Sequence, residues 1–364
     1  MSEAEKPVSE AVLAALLGVH LAEMEARLEA WGEALLKGAT SGVVPAPPLV
    51  PSPGPAPALH LTPLSEEDLT HDWAGWSHHQ AVRLKPGGEV ELCQAEGTPG
   101  VSSAYRPAPG GALLCLRLTL GLNERAQGVQ PVLRLINERG QSLGPDMPLP
   151  EGNSEHVFYV PMQAQRLRAQ VLALRPGIGS GFTLGHFAWF QLDPESHQAR
   201  LRHDLGAPVI ASMASIPDRR EMLRDAVTSL LAQCDRVRVF LNGYPDVPDF
   251  LRHPRVETRR SQDWDDKGDA GKFGWVEVLE APGYRIIVDD DLIFAPHFAR
   301  HMVEGARRYG DAAFVALHGV LLRQPLSTYY APESRSTFHF GNPLGGTARC
   351  MCWAPMPSAP IATG

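Results

Sequence analysis

The chain has 364 residues, 44% hydrophobic and 20% charged, and its 33 Lys+Arg against 41 Asp+Glu give a formal net charge of -8 at pH 7. That length allows two or three domains, each with its own core, and the composition is that of an ordinary soluble globular protein. The missing basic surplus excludes broad nucleic-acid binding, because nothing is left over to neutralise a run of phosphates.

Cys93, Cys115, Cys234, Cys350 and Cys352 are scattered, odd in number and without paired-knuckle spacing. This usage fits reduced thiols better than a disulfide framework or a zinc site. The first residues show no basic segment leading into an apolar core, and no apolar run approaches membrane-spanning length. The expectation is a cytoplasmic protein, or one peripheral to the inner membrane, with no transmembrane segment.

In residues 1–40, Ala14, Leu17, Leu21, Met24, Leu28, Trp31 and Leu35 recur three and four apart. That is the spacing of an a/d seam, so a helix is predicted that self-associates or caps a later domain. Residues 41–68 carry Pro45, Pro47, Pro48, Pro51, Pro53, Pro55, Pro57 and Pro63. Proline at that density excludes helix and predicts an extended linker.

Between 69 and 195 short apolar runs are punctuated by Gly and Pro: AVRL, EVELC, ALLCLRLTL, PVLRLIN, HVFYVPM, LRAQVLAL and FTLGHFAWFQL. Seven such runs without helical periodicity predict a β-sandwich of jelly-roll type. The stretch HDWAGWSHH offers Trp73 and Trp76 either as stacking surfaces for sugar rings or as core. His71, His78 and His79 are metal-ligand candidates or scattered surface histidines.

From 205 to 349 the pattern becomes α/β. After a helical bridge over 194–204, PVIASMAS reads as a buried strand, IPDRREMLRDAVTSLLAQ as a loop and helix, RVRVFLN and VETRR as strands, and GDAGKFGWVEVLE as a second helix. RIIVDDD is the next strand and FAPHFARHMVEGARRYG a third helix, before AAFVALHGVLL. Alternation of this kind predicts a largely parallel sheet, whose ligands collect at the carboxyl ends of the strands. Ser215, Asn242 and the triplet Asp289, Asp290, Asp291 fall at such ends. Three adjacent carboxylates repel one another and call for a cation or hydrogen-bond donors; Mg²⁺ or Mn²⁺ with a diphosphate is one answer. A solvated acidic turn is the other.

Four pieces in order, SMASIPDR (212–219), GDAGKF (268–273), VDDD (288–291) and LHGVLL (317–322), resemble bacterial nucleotide-sugar glycosyltransferases with the Rossmann-like GT-A fold, similar to the family-two enzymes. The resemblance covers a little over a third of the chain. It implies a transferase making surface polysaccharide, with a nucleotide-sugar donor, a glycan acceptor and Mn²⁺ or Mg²⁺ held by Asp289 and Asp291. Asp290 would face donor hydroxyls, and the three aspartates form the catalytic set. Ser215, Asp218 and Arg219 would grip the nucleoside, and Asp269 and Lys272 would read the base and hold phosphate. Read without the resemblance, Asp218 and Asp269 are helix caps, Lys272 is a surface charge, and His318 is a core or second-layer histidine beside the acceptor side.

Such a domain normally continues well past LHGVLL, so this one reads as incomplete and as lacking its catalytic base. Residues 350–364 form no recognisable element. Read one base out of frame, Cys350–Pro357 gives a Val-Leu-Gly-Thr type of string like that of the family, which predicts a frameshifted tail and an inactive enzyme. Two other readings stand beside this one. One is a non-catalytic glycan-binding or scaffold protein in which the sandwich does the work. The other is a nucleotidyltransferase, disfavoured because SMASIPDRR lacks a Gly-rich phosphate loop.

Overall fold

The structure, a computed structural model, describes residues 54–94, 96–126, 128–275, 283–311, 314–322, 335–338 and 360–363. Every strand and helix named below lies in the compact unit Pro55–Gly364. The helix expected over 1–40 and most of the Pro-rich segment fall outside the described residues.

The first half is a β-sandwich of antiparallel strands. These are β1 (Leu61–Asp68), β2 (Val82–Lys85), β3 (Glu89–Leu92), β4 (Gly100–Ser102), β5 (Leu113–Leu122), β6 (Gln130–Asn137), β7 (Gly152–Tyr159), β8 (Arg166–Leu174) and β9 (Gly181–Leu192). One sheet runs β7-β5-β9-β3-β2, with β1 also paired to β9; the other runs β4-β8-β6 and is extended by two-residue strands. Alternation along each strand supplies the core. Leu114, Leu116, Leu118 and Leu120 of β5 meet Leu133, Val171, Phe182 and Trp189 between the sheets. Each buried side chain of this size contributes roughly 1.5–3 kcal/mol.

One expectation changes here, and one open alternative meets the structure. The last part of the proline-rich segment is not linker but β1, which adds to β9 as an edge strand and tolerates Pro63 where the register shifts. Trp73 and Trp76 are half-buried and packed on the core rather than presented to solvent. Trp73 Nε1 donates to Lys85 O at 3.3 Å, and Trp76 Nε1 donates to Glu67 Oε2 at 2.6 Å. The Trp76 ring also meets Phe187 edge-on at 4.9 Å. His71 leans on Asp68 at 2.9 Å, and no group of three or more metal-ligating side chains forms among the described residues.

The second half begins with α1 (Pro194–Leu205), capped by the Asp193 side chain at its start and by Gly206 at φ 62° at its end. Then follow β10 (Val209–Ser215), α2 (Arg220–Leu231), β11 (Arg236–Leu241), β12 (Val256–Arg260), α3 (Ser261–Trp264), β13 (Gly283–Ile287) and α4 (Phe298–Arg307). Strands β12-β11-β10-β13 form a parallel sheet in that order. Its core joins Val209, Ala211 and Met213 to Leu223, Val227 and Leu230 of α2 and to Met302 and Val303 of α4.

GDAGKF does not open an α-helix. Gly268–Phe273 is a 3₁₀ turn, entered through Gly268 at φ 51°, and residues 276–282 lie outside the description. His318, expected as a core or second-layer histidine beside the acceptor side, is half-buried and leads into β14 (Gly319–Leu322), which pairs with β15 (Arg335–Phe338) in a separate two-stranded sheet. In the tail, expected to be irregular, β16 (Pro360–Thr363) pairs antiparallel with β13. The rest of that tail, Cys350 and Cys352 included, is outside the described residues.

Candidate functional site

Two polar places stand out, and the sequence singled out only the first. At the carboxyl ends of the parallel strands, Ser215 Oγ lies 3.0 Å from the Tyr244 hydroxyl, which itself donates to Ile216 O at 2.8 Å. Asn242 Nδ2 donates to Gly268 O at 2.8 Å and thereby ties the 3₁₀ turn to the sheet. The turn lies flat on Phe240, and only a glycine fits at 271, where a Cβ would come 2.4 Å from Phe240 Cδ1. This close approach sinks Lys272 to 2% exposure, with its ammonium 3.0 Å from Asp289 Oδ1 and 2.9 Å from Asp269 Oδ2.

Arg219 supplies the second cation. Its Nη1 donates to Asp290 Oδ1 at 2.9 Å and stands 3.4 Å from Asp291 Oδ2. The bond to Asp290 holds the Arg219 pKa above its usual value. Asp289 titrates above the ordinary carboxylate range, because burial outweighs the help it receives from Lys272. Asp218 is exposed, and α2 has no side-chain cap at its start, so the capping role is not taken up.

The predicted residues Arg219, Lys272, Asp289, Asp290 and Asp291 therefore come together, while Ser215 turns to Tyr244, Asp218 is exposed and Asp269 reaches the cluster only through Lys272. The triplet's mutual repulsion is answered by a lysine and an arginine. Asp289 and Asp291, named as Mn²⁺ or Mg²⁺ ligands, turn to different cationic side chains, and among the described residues no trio of ligating side chains converges.

The second place is the outer face of the sheet containing β5. The outward residues of β5 divide in two. Leu113 and Cys115 pack with Tyr159, Leu192 and Ala232, and this cluster joins the sandwich to the end of α2. Asp225 of α2 locks the joint by accepting from the Tyr159 hydroxyl at 3.0 Å and from Met162 N at 2.8 Å. Burial pushes the Cys115 thiol up to about 12.

Beyond the joint the same face opens. Arg117 and Thr119 stand opposite Glu155 and Asn153 of β7. Arg117 Nε donates to Glu155 Oε2 at 2.8 Å, and Thr119 Oγ1 donates to Asn153 Oδ1 at 2.7 Å. The Arg117 guanidinium also covers the Phe190 ring at 5.0 Å, at the border with the joint. A register shift in β9 between Leu184 and Phe187 brings His186 to the rim, 3.4 Å from Glu66. Arg117, Thr119, Asn153, Glu155 and His186 line a cavity of about 550 Å³. Sequence reasoning passed over this row. Its only signal was the placing of Arg117 and Thr119 on alternate positions of an otherwise apolar run.

No protein-family model matches the chain, and no curated protein does. Solved structures do match. The galactotriose complex of TmCBM61 is 14% identical over 34% of this chain and 92% of its own, with a TM-score of 0.25. A xylan-binding domain from CBM 22 is 10% identical over 35% and 94%, at 0.27. The enzymatically active domain of bacteriophage CBA120 tailspike protein 4 is 11% identical over 33% of this chain, at 0.25, and the match spans 20% of that protein. The expected resemblance finds no support in these structures. They are carbohydrate-binding modules and a tailspike domain rather than glycosyltransferases, and the transferase activity, the GT-A label and the nucleotide-sugar donor are withdrawn with it. Among the described residues no helix is long and apolar enough to cross a membrane.

Proposed function

We propose that this protein is a non-catalytic glycan-binding protein whose ligand lies on the open half of the outer β5–β7–β9 face. The observation that carries this reading is the row Arg117, Thr119, Asn153 and Glu155 around a cavity of about 550 Å³. Sugar hydroxyls both donate and accept, so they need neighbouring groups of both kinds held at fixed spacing. The sheet supplies that spacing, about 6.7 Å between alternate residues of one strand and about 5 Å across a pair. Each pair combines a donor with an acceptor, guanidinium with carboxylate and hydroxyl with carboxamide, and pairing pre-orders the groups before a ligand arrives. The site is concave, with a few convergent polar groups, as ligand sites generally are.

Calorimetric titration with β-1,4-galactotriose and with xylo-oligosaccharides tests the reading. Binding by the wild type, and its loss in Thr119→Ala/Asn153→Ala with unchanged thermal stability, is the expected result. Equal affinities for wild type and double variant, or no binding across a neutral and acidic glycan panel, would refute it.

A further inference from the structure

The open face does not end at the sandwich. Glu155 lines the cavity on the sheet, and it also lines a second cavity of about 360 Å³ walled by His197, Arg200 and Asp204 of α1 and by His297 and Arg300 at α4. The two cavities therefore adjoin, and a ligand lying along β7 runs from one to the other.

The second cavity has a distinct chemistry. Asp204 sits between two arginines, 3.1 Å from Arg200 Nε and 2.7 Å from Arg300 Nη2. One carboxylate cannot use up two guanidinium forks, and among the described residues Arg300 has no other hydrogen-bond partner. Both arginines are well exposed, at 42% and 38%. Burial lowers the pKa of His197 and of His297, so neither adds charge near neutral pH. Within the second cavity Arg200 and Arg300 then face Glu155 and Asp204, two positive against two negative, and Glu155 is already paired with Arg117 at 2.8 Å. Leu59, Val157 and Pro296 supply apolar walls, which strengthen charge-assisted hydrogen bonds by limiting water.

We infer that this second cavity is an additional subsite of the same groove, taking an oxyanion carried on the glycan, with Arg200 and Arg300 as its donors. The inference rests on the glycan-binding reading. It adds to it that the α/β half contributes to ligand selection, so the sandwich alone holds only part of the site. A carboxylate of an acidic sugar and a sulfate ester both present the required oxygens.

The test compares xylo-oligosaccharides with and without a glucuronic acid branch, plus a sulfated oligosaccharide, on the whole protein. The wild type should prefer one of the acidic ligands by about tenfold, the size expected for one charged hydrogen bond, and added salt should erode that preference. Which acid is preferred separates the carboxylate from the sulfate. Arg200→Gln and Arg300→Gln should abolish the preference while the affinity for the neutral oligosaccharide stays unchanged. A neutral ligand bound as tightly as both acidic ones would overturn the subsite and leave the sheet-face reading intact. Absence of all binding would instead overturn the glycan-binding reading on which it rests. Because the salt effect is read on the wild type, the result does not depend on the variants folding.

Discussion

Lys272 and Asp289 close on one another across seventeen residues of sequence, Nζ to Oδ1 at 3.0 Å, with the lysine side chain 2% exposed. An ammonium so deep is tolerated because two carboxylates meet it, the half-buried Asp289 and the exposed Asp269. Lys272→Met should therefore destabilise the protein by about 3 kcal/mol, the cost of leaving a buried partner uncompensated. Urea unfolding with an unchanged m-value checks this. A variant as stable as wild type would show the pair to be incidental.

Gly271→Ala tests how the lysine is brought there. The new Cβ would meet Phe240, itself 1% exposed and enclosed. The strain should cost about 1–3 kcal/mol. Phe240→Leu in the same chain should recover part of it, because the clash is with the ring.

Asp225→Ala removes the acceptor shared by the Tyr159 hydroxyl and Met162 N. Two donors in the joint lose their partner, for an expected loss of about 2 kcal/mol. Proteolysis of the native protein should then cut more readily between sandwich and α2, and a cleavage pattern identical to wild type would argue against the lock.

Two carboxylates give opposite pH signatures. Burial by itself raises the pKa of Asp204, but hydrogen bonds from Arg300, His203 and Arg200 outweigh it and leave the value lowered. Its stabilising contribution is thus full above the usual 3.8 and is lost as pH falls through the lowered folded value. Arg300→Gln should be less stable than wild type near neutral pH, with the gap narrowing below 3.8. Asp289 is raised by burial, so its contribution is present below 3.8 and is lost as pH rises through the folded value. Asp289→Asn should remove that decline, which stability curves against pH would show.

Much of the fold was legible because alternation is a local property. The seven apolar runs of the sandwich are strands, and the bridge to the α/β half is a helix. The first strand was hidden by proline, which an edge strand tolerates and a central one does not. GDAGKF misled because its glycines, placed for a tight turn on Phe240, also match the opening of a helix. The surroundings of the acid triplet were hidden for a different reason. Its neutralising partners lie 17 residues away at Lys272 and 71 away at Arg219, and no window around VDDD contains either. The polar row on the outer face was half visible, as Arg117 and Thr119 on one side of a strand. The register that sets Glu155 and Asn153 opposite them is a tertiary fact.

Cys115 turns the joint into its own clock. A buried thiol with a pKa pushed up to about 12 is almost wholly protonated and screened from reagents, so it reacts only when Leu113, Tyr159 and Ala232 part. The rate at which it is trapped measures how often the two halves of the molecule breathe apart. Because Arg117 lies two residues further along the same strand, an oligosaccharide seated there should lengthen that interval, while the exposed Cys93 keeps time independently.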